Sequence, residues 1–230
     1  MDDIDELIED ALLLVEQNFY FLHAGEFFAR LIKKEDLSNK VEDIVLNRYD
    51  ISSYKLQSRF TLEDLRDALG KSKEEIGLFE YFVEFNSIRG ICMATVEALR
   101  LEGGFRDFMF DVLGKERFEE IYDILSFVRN VLSHNIHAEI RLSFKDYDGT
   151  KRRIFRMRRD PKIAFSFIYS QDLPGIVPPQ STYGFSCYVD FESMDETTLF
   201  LDVLNTWELL MLCELCFNLV QAYRIHQKNT

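Results

Sequence analysis

The sequence is poor in cations. It carries 27 Lys and Arg against 40 Asp and Glu, a formal net charge of −13. That balance argues against nucleic-acid binding driven by overall charge, though it leaves a local basic patch open. Long apolar runs are also missing: no stretch of about 18 uncharged apolar residues exists, so no membrane span is expected. The start, Met1-Asp2-Asp3-Ile4-Asp5, is acidic where a secretory or mitochondrial leader is basic. There are only four cysteines, at 92, 187, 213 and 216, three of them in apolar helical or strand-like runs. Such usage implies reduced thiols and a cytoplasmic location. Internal repeats and low-complexity tracts are absent as well.

What is present is a core. Hydrophobic residues make up 47% of the 230 positions, with 21 phenylalanines, which excludes wholesale disorder. Ile4, Leu7, Ile8, Ala11, Leu12, Val15, Phe19, Leu22 and Phe27 recur at helical spacing and predict one helix over 3–34. Residues 35–60 read as a loop with a short helix around Val41–Leu46. Thr61 opens a short helix near Leu62–Leu69, ended by Gly70. Ser72-Lys73-Glu74-Glu75 has capping-box spacing and starts a helix to about Leu101, stopped by Gly103-Gly104. A short helix over 105–113 closes at Gly114. Another follows from Lys115 to about Ser133, with Phe118, Ile121, Tyr122, Leu125, Val128 and Leu132 as its buried stripe.

The period then falls to two. Ile140, Leu142 and Phe144 alternate with polar residues, and Asp148-Gly149 is a hairpin signal. Strands are predicted over 151–159, 163–170 and 184–191. Residues 171–183 hold three of the four prolines and read as an exposed loop. Ser193-Met194-Asp195-Glu196 has capping-box spacing and opens a last helix over about 196–227. The expected architecture is mainly α. A helical bundle (1–137) carries a small antiparallel β-sheet insertion (138–192), and a final helix (193–230) returns to the bundle.

One segment could carry chemistry. Arg129 and His134 stand five positions apart at a helix end, with Asn130 directly after the arginine. On an unbroken helix, positions 129 and 134 differ by about 140°, whereas Asn130 and His134 share a face. Arg129 and His134 therefore meet on one ligand only if the helix loosens near Ser133 or a second subunit supplies the partner. A basic residue, an Asn and a His at this place would also suit the negative end of the helix dipole, with no catalytic role.

Arg129-Asn130-Val131-Leu132-Ser133-His134, with the helical layout around it, resembles the HEPN superfamily. Its signature is Arg, four to six residues, then His at the end of a core helix in a small α bundle. The resemblance implies a homodimer with both motifs lining a shared cleft. It also implies cofactor-free, metal-independent RNA cleavage to a 2′,3′-cyclic phosphate and a 5′-hydroxyl. Arg129, Asn130 and His134 would be the catalytic set, in a toxin–antitoxin or defence setting with an antitoxin or regulatory partner. In the chemistry expected, histidine moves a proton at the 2′-OH or the leaving oxygen. Arginine holds the phosphate bidentately. Some toxins of this family carry a tyrosine two residues after the histidine; here that position is Ile136.

Lys151-Arg152-Arg153-Ile154-Phe155-Arg156-Met157-Arg158-Arg159 is the one basic cluster, six cations in nine residues. As a strand it sends Arg153, Phe155, Met157 and Arg159 to one face and Arg152, Ile154, Arg156 and Arg158 to the other. Arg152, Arg153, Arg156, Arg158 and Arg159 are the expected RNA-binding residues. A charged edge strand with no ligand has the same composition. Cys213-Glu214-Leu215-Cys216 has CxxC spacing inside an apolar helix with no second ligand pair and reads as core. His23 and His226 are isolated, and Glu119-Glu120 read as a solvated face. Two functions from different classes follow: an endoribonuclease, or a non-catalytic dimeric interaction module that keeps the bundle.

Overall fold

In the computed structural model, the residues described are 3–33, 44–45, 59–60, 77–135, 139–158, 160–174 and 177–229. They are mainly helical, with a small antiparallel sheet before the last long helix. The elements are α1 (Asp3–Lys33), β1 (Ile44–Val45), β2 (Arg59–Phe60), α2 (Gly77–Arg100), α3 (Gly104–His134) and α4 (Phe144–Arg158). They continue as β3 (Lys162–Ile168), α5 (Tyr169–Asp172), β4 (Gly184–Asp190), α6 (Phe200–Val203) and α7 (Thr206–Asn229). The chain divides into two compact units, one of residues 1–21 and 85–230, the other of residues 22–84.

In the smaller unit, β1 and β2 pair antiparallel, with Ile44 opposite Phe60 and Val45 opposite Arg59. Ile44–Val45 is therefore strand where a short helix was expected. β-branched residues favour this pleated pairing. The helix expected over 62–69 and the helix start expected at Ser72 lie outside the described residues.

The larger unit is built around α3. Its buried side run includes Phe105, Met109, Phe118, Ile121, Leu125, Val128 and Leu132. Each such side chain contributes about 1.5–3 kcal/mol by leaving water. Gly114 interrupts the helix at φ 71°, ψ 166°, as its position between two apolar runs predicts. α7 lies along this frame: Tyr223 meets Phe105 and Phe108, and Phe217 stacks on Phe19 of α1 at 4.3 Å. Arg224 clamps α7 to α1 through Glu16 at 2.8 Å and Glu9 at 2.9 Å, and Gln221 donates to Glu16.

β3 and β4 pair from Lys162↔Asp190 to Ile168↔Gly184. Ile163, Phe165 and Phe167 alternate inward with Phe185, Cys187 and Val189. A side chain at Gly184 would collide with the Phe167 carbonyl, so only glycine lets the strands close there. Arg117 ties α3 to this hairpin by a bidentate pair with Asp172 (2.7 and 2.9 Å) and a bond to the Ser166 carbonyl.

Two further expectations are corrected. Residues 144–158 form a helix rather than a hairpin and strand, and Asp148-Gly149 lies inside it. Asp146, Tyr147, Thr150 and Ile154 are its buried positions, at helical spacing. Of the expected 140–144 strand, only a single bridge from Arg141 to Leu199 forms. The second correction concerns the last long helix, which begins at Thr206 rather than 196. Its capping box is Asn205 and Glu208: Glu208 N donates to Asn205 Oδ1 (3.0 Å) and Asn205 N to Glu208 Oε2 (2.8 Å). Ser193 instead donates its hydroxyl to the Asp190 carbonyl at 3.0 Å.

Candidate functional site

α3 stays helical through His134 and ends at Asn135, which is extended at φ −121°, ψ 133°. The loosening that would bring Arg129 and His134 together in one chain is absent. Arg129 turns toward α2, its guanidinium 4.0 Å from Glu97, and donates to Asn130 Oδ1 at 3.0 Å. Burial pushes the Cys92 thiol on α2 well up, and Arg129 pulls weakly the other way, placing its charge near that helix. His134 turns toward α4. Its Nδ1 lies 3.2 Å from Asp146 Oδ1. Asn130, expected to pair with His134, faces Arg129 instead, because an amide oxygen satisfies the adjacent guanidinium.

Asp146 is the functional candidate that sequence reasoning missed. It is fully buried in the first turn of α4. Its Oδ2 accepts from Ser143 N (2.8 Å) and Ser143 Oγ (2.7 Å), while Asp146 N donates back to the Ser143 carbonyl at 2.8 Å. This is one half of a capping box, the acid accepting from the Ser143 amide while the Ser143 hydroxyl also donates to it, and Ser143-x-x-Asp146 was its sequence signal. A carboxylate accepts and does not donate, so the facing His134 Nδ1 carries the hydrogen. The other nitrogen, Nε2, is left as the acceptor on a side chain 43% exposed. Asn135 Nδ2 donates to the Val131 carbonyl at 2.8 Å and closes the helix end beside the pair. The arrangement is a partly exposed histidine held in one tautomer by a buried acid. It can take or give a proton at a ligand.

The basic cluster divides on the helix. Arg153 points inward: it donates to Asp123 at 2.7 Å and Glu119 at 2.8 Å and lies 4.7 Å from the Tyr122 ring centre. Burial opposes its charge, but the two carboxylates outweigh that and raise its pKa. Glu119 is thus a partner of Arg153, not part of a solvated face. Arg152 pairs with Asp148 at 2.9 Å, one turn away. Arg156 is exposed. Arg158 lies in α4, and Arg159 falls outside the described residues, as does Ile136.

Cys213 and Cys216 are buried beside Cys92, and burial pushes all three thiols up; for Cys216 the value is about 12. They pack as core. Among the described residues, no group of three or more His, Cys, Asp or Glu is placed to hold a metal ion, and no helix is long and apolar enough to cross a membrane. No family model, curated protein or solved structure matches the chain.

Proposed function

We propose that the protein is a metal-independent endoribonuclease of HEPN type, with His134 as its proton-transferring residue and Asp146 as the residue that positions it. The observation that carries this reading is the His134–Asp146 pair: an exposed imidazole at the end of the Arg129–His134 motif, tied by Nδ1 to a buried carboxylate. Held so, Nε2 can take the proton of a ribose 2′-OH as the oxygen attacks the adjacent phosphorus. The P–O5′ bond breaks and the 5′-oxygen takes a proton from water, while His134 returns its own to solvent, giving a 2′,3′-cyclic phosphate and a 5′-hydroxyl. The added charge on the phosphate calls for an arginine. Arg129 sits about 140° around α3 from His134, so the arginine that completes the site comes from a second copy of the chain. The homodimer is therefore part of the proposal. Cytoplasmic action rests on the cysteine usage, and a toxin or defence role and an antitoxin partner rest on the family resemblance alone.

The test is RNA cleavage in the presence of EDTA. His134→Ala should lower the rate by about 10²- to 10⁴-fold, the usual worth of a positioned acid or base. Mixing Arg129→Ala with His134→Ala should restore up to about a quarter of wild-type activity. Random pairing makes half the dimers mixed, each with one intact composite site. A mixture that stays dead would refute the shared site.

A second reading, a non-catalytic dimeric interaction module, is favoured by α1. Leu7, Leu14 and Phe21 are 54%, 49% and 56% exposed at seven-residue intervals, one apolar row along the helix. Wild-type protein that dimerises but cleaves no RNA would establish this reading over the first.

A further inference from the structure

The outward face of α4 has a composition that the proton-transfer pair does not use. Phe155 is 59% exposed there, whereas Tyr147 and Ile154, about 80° and 100° around the helix, are buried. Asp148, Lys151, Arg152, Phe155 and Arg156 line a shallow depression of about 570 Å³. Asp148 neutralises Arg152 at 2.9 Å. Lys151 and Arg156 enter no ion pair among the described residues. The face thus presents an aromatic ring flanked by two uncompensated cations, on a protein of net charge −13. A ring left open to water can be covered by a flat apolar group stacked on it. Flanking cations specify that the cover carries negative charge.

We infer that this face binds single-stranded RNA, with an unpaired base stacked on Phe155 and neighbouring phosphates held by Lys151 and Arg156. A duplex hides its base faces, so a ring standing between cations suits a strand whose bases are splayed out. Cations without the ring would bind either form through its phosphates alone. The inference rests on the ribonuclease reading for the choice of RNA, and it adds which form of RNA is taken and where.

The geometry also orders the two sites. Asp146 lies inward on the first turn of α4, while Phe155 lies about 180° around and about 13 Å along the axis. A strand occupying both must pass around the N-terminal end of α4. A dinucleotide is too short to do so. Its cleavage is therefore independent of Phe155, whereas cleavage of a longer strand depends on it through KM.

The experiment measures binding of a fluorescent twelve-nucleotide single-stranded RNA, and of its duplex, to the full chain carrying His134→Ala so that no cleavage occurs. Adding Phe155→Ala should weaken single-strand binding about tenfold, the worth of one stacked base. Phe155→Tyr should restore it, and duplex binding should be unchanged. Lys151→Gln with Arg156→Gln should flatten the salt dependence by about 1.4 in log–log slope, two phosphates' worth on a single strand. All three positions are at least partly exposed, so unchanged melting temperatures serve as the folding control. Equal binding by Phe and Ala at 155, equal loss for strand and duplex, or a mononucleotide binding as tightly as the oligomer would each overturn the inference. Cleavage by the wild type with no Phe155 effect sinks this inference and leaves the nuclease standing. Phe155-dependent binding without any cleavage does the reverse.

Discussion

Replacing Asp146 with asparagine changes one atom type at the centre of the proposed site. In the native pair, Oδ2 of Asp146 accepts from Ser143 N and Oγ at 2.8 and 2.7 Å, and Oδ1 faces His134 Nδ1 at 3.2 Å. An asparagine keeps its oxygen on the two Ser143 donors, which leaves its NH₂ facing the imidazole. Two donors cannot share that contact, so the histidine hydrogen moves to Nε2, the nitrogen that must accept the 2′-OH proton. Reversing one hydrogen bond to a charged group costs about 1.5–3 kcal/mol, or about 10- to 150-fold in the working tautomer. kcat in single-turnover cleavage should fall by that factor with KM unchanged. A long-range proton–nitrogen NMR spectrum of His134 should show the hydrogen transferred. Ser143→Ala is the control: it removes the hydroxyl bond to Asp146 Oδ2, worth about 1.5–3 kcal/mol, while the Ser143 amide still holds the carboxylate opposite His134. It should therefore lower the melting temperature yet leave cleavage near wild type. Full activity in Asp146→Asn with the hydrogen still on Nδ1 would refute the reasoning.

Two further outcomes concern stability. Burial raises the Asp172 carboxyl, but the Arg117 hydrogen bonds and the Ile168 amide outweigh it and hold it below its ordinary 3.8. A depressed acid stabilises the fold above its unfolded-state value and loses that contribution as pH falls through the folded-state value. The melting-temperature gap between wild type and Arg117→Met should thus be full at neutral pH and should narrow at pH 3 and below. A gap unchanged by acid would show that the pair does not stabilise the fold. Gly114 is at φ 71°, ψ 166°, a conformation close to exclusive to glycine, and a Cβ there meets nothing within 4 Å. Gly114→Ala should destabilise by about 1–3 kcal/mol through backbone strain alone, read by urea denaturation. No loss would mean the break is not enforced.

The helices that bury wide apolar stripes were legible. α1, α3 with its break at Gly114, and the inward alternation of β3 and β4 all follow from hydrophobic spacing. α4 was not, and its failure has a physical cause. Its buried face is Asp146, Tyr147, Thr150 and Ile154, two of which are polar, so the apolar stripe that marks a helix was too thin to see. Asp148-Gly149 then supplied a hairpin signal, and the alternation over 151–159 a strand signal. The same error concealed the site. His134 was found from its motif, but its partner could be recognised only once Ser143 was read as a helix cap, and a predicted strand at Phe144 ruled that out. Arg153 was misjudged for the same reason. On a strand it is one of a row of cations; on the helix it alone of Arg152, Arg153 and Arg156 turns inward to Asp123 and Glu119. The start of α7 was displaced because two segments have capping-box spacing, and only Asn205 and Glu208 exchange the reciprocal bonds.

The clamp between α7 and α1 bears on how the protein is made. Arg224 and Gln221 reach Glu16 across 208 and 205 positions of chain. Such remote pairing is slow to form, because the loop it closes must first be gathered in. On a ribosome adding roughly 5–20 residues per second, α1 waits roughly 10–40 s for the helix that holds it. During that interval Phe217, the ring that stacks on Phe19, has not yet been made. A nascent-chain release experiment would find α1 protease-sensitive until α7 has left the exit tunnel. The larger unit is then completed late and all at once, so a half-synthesised chain carries the Arg129–His134 motif without the scaffold that gives it shape.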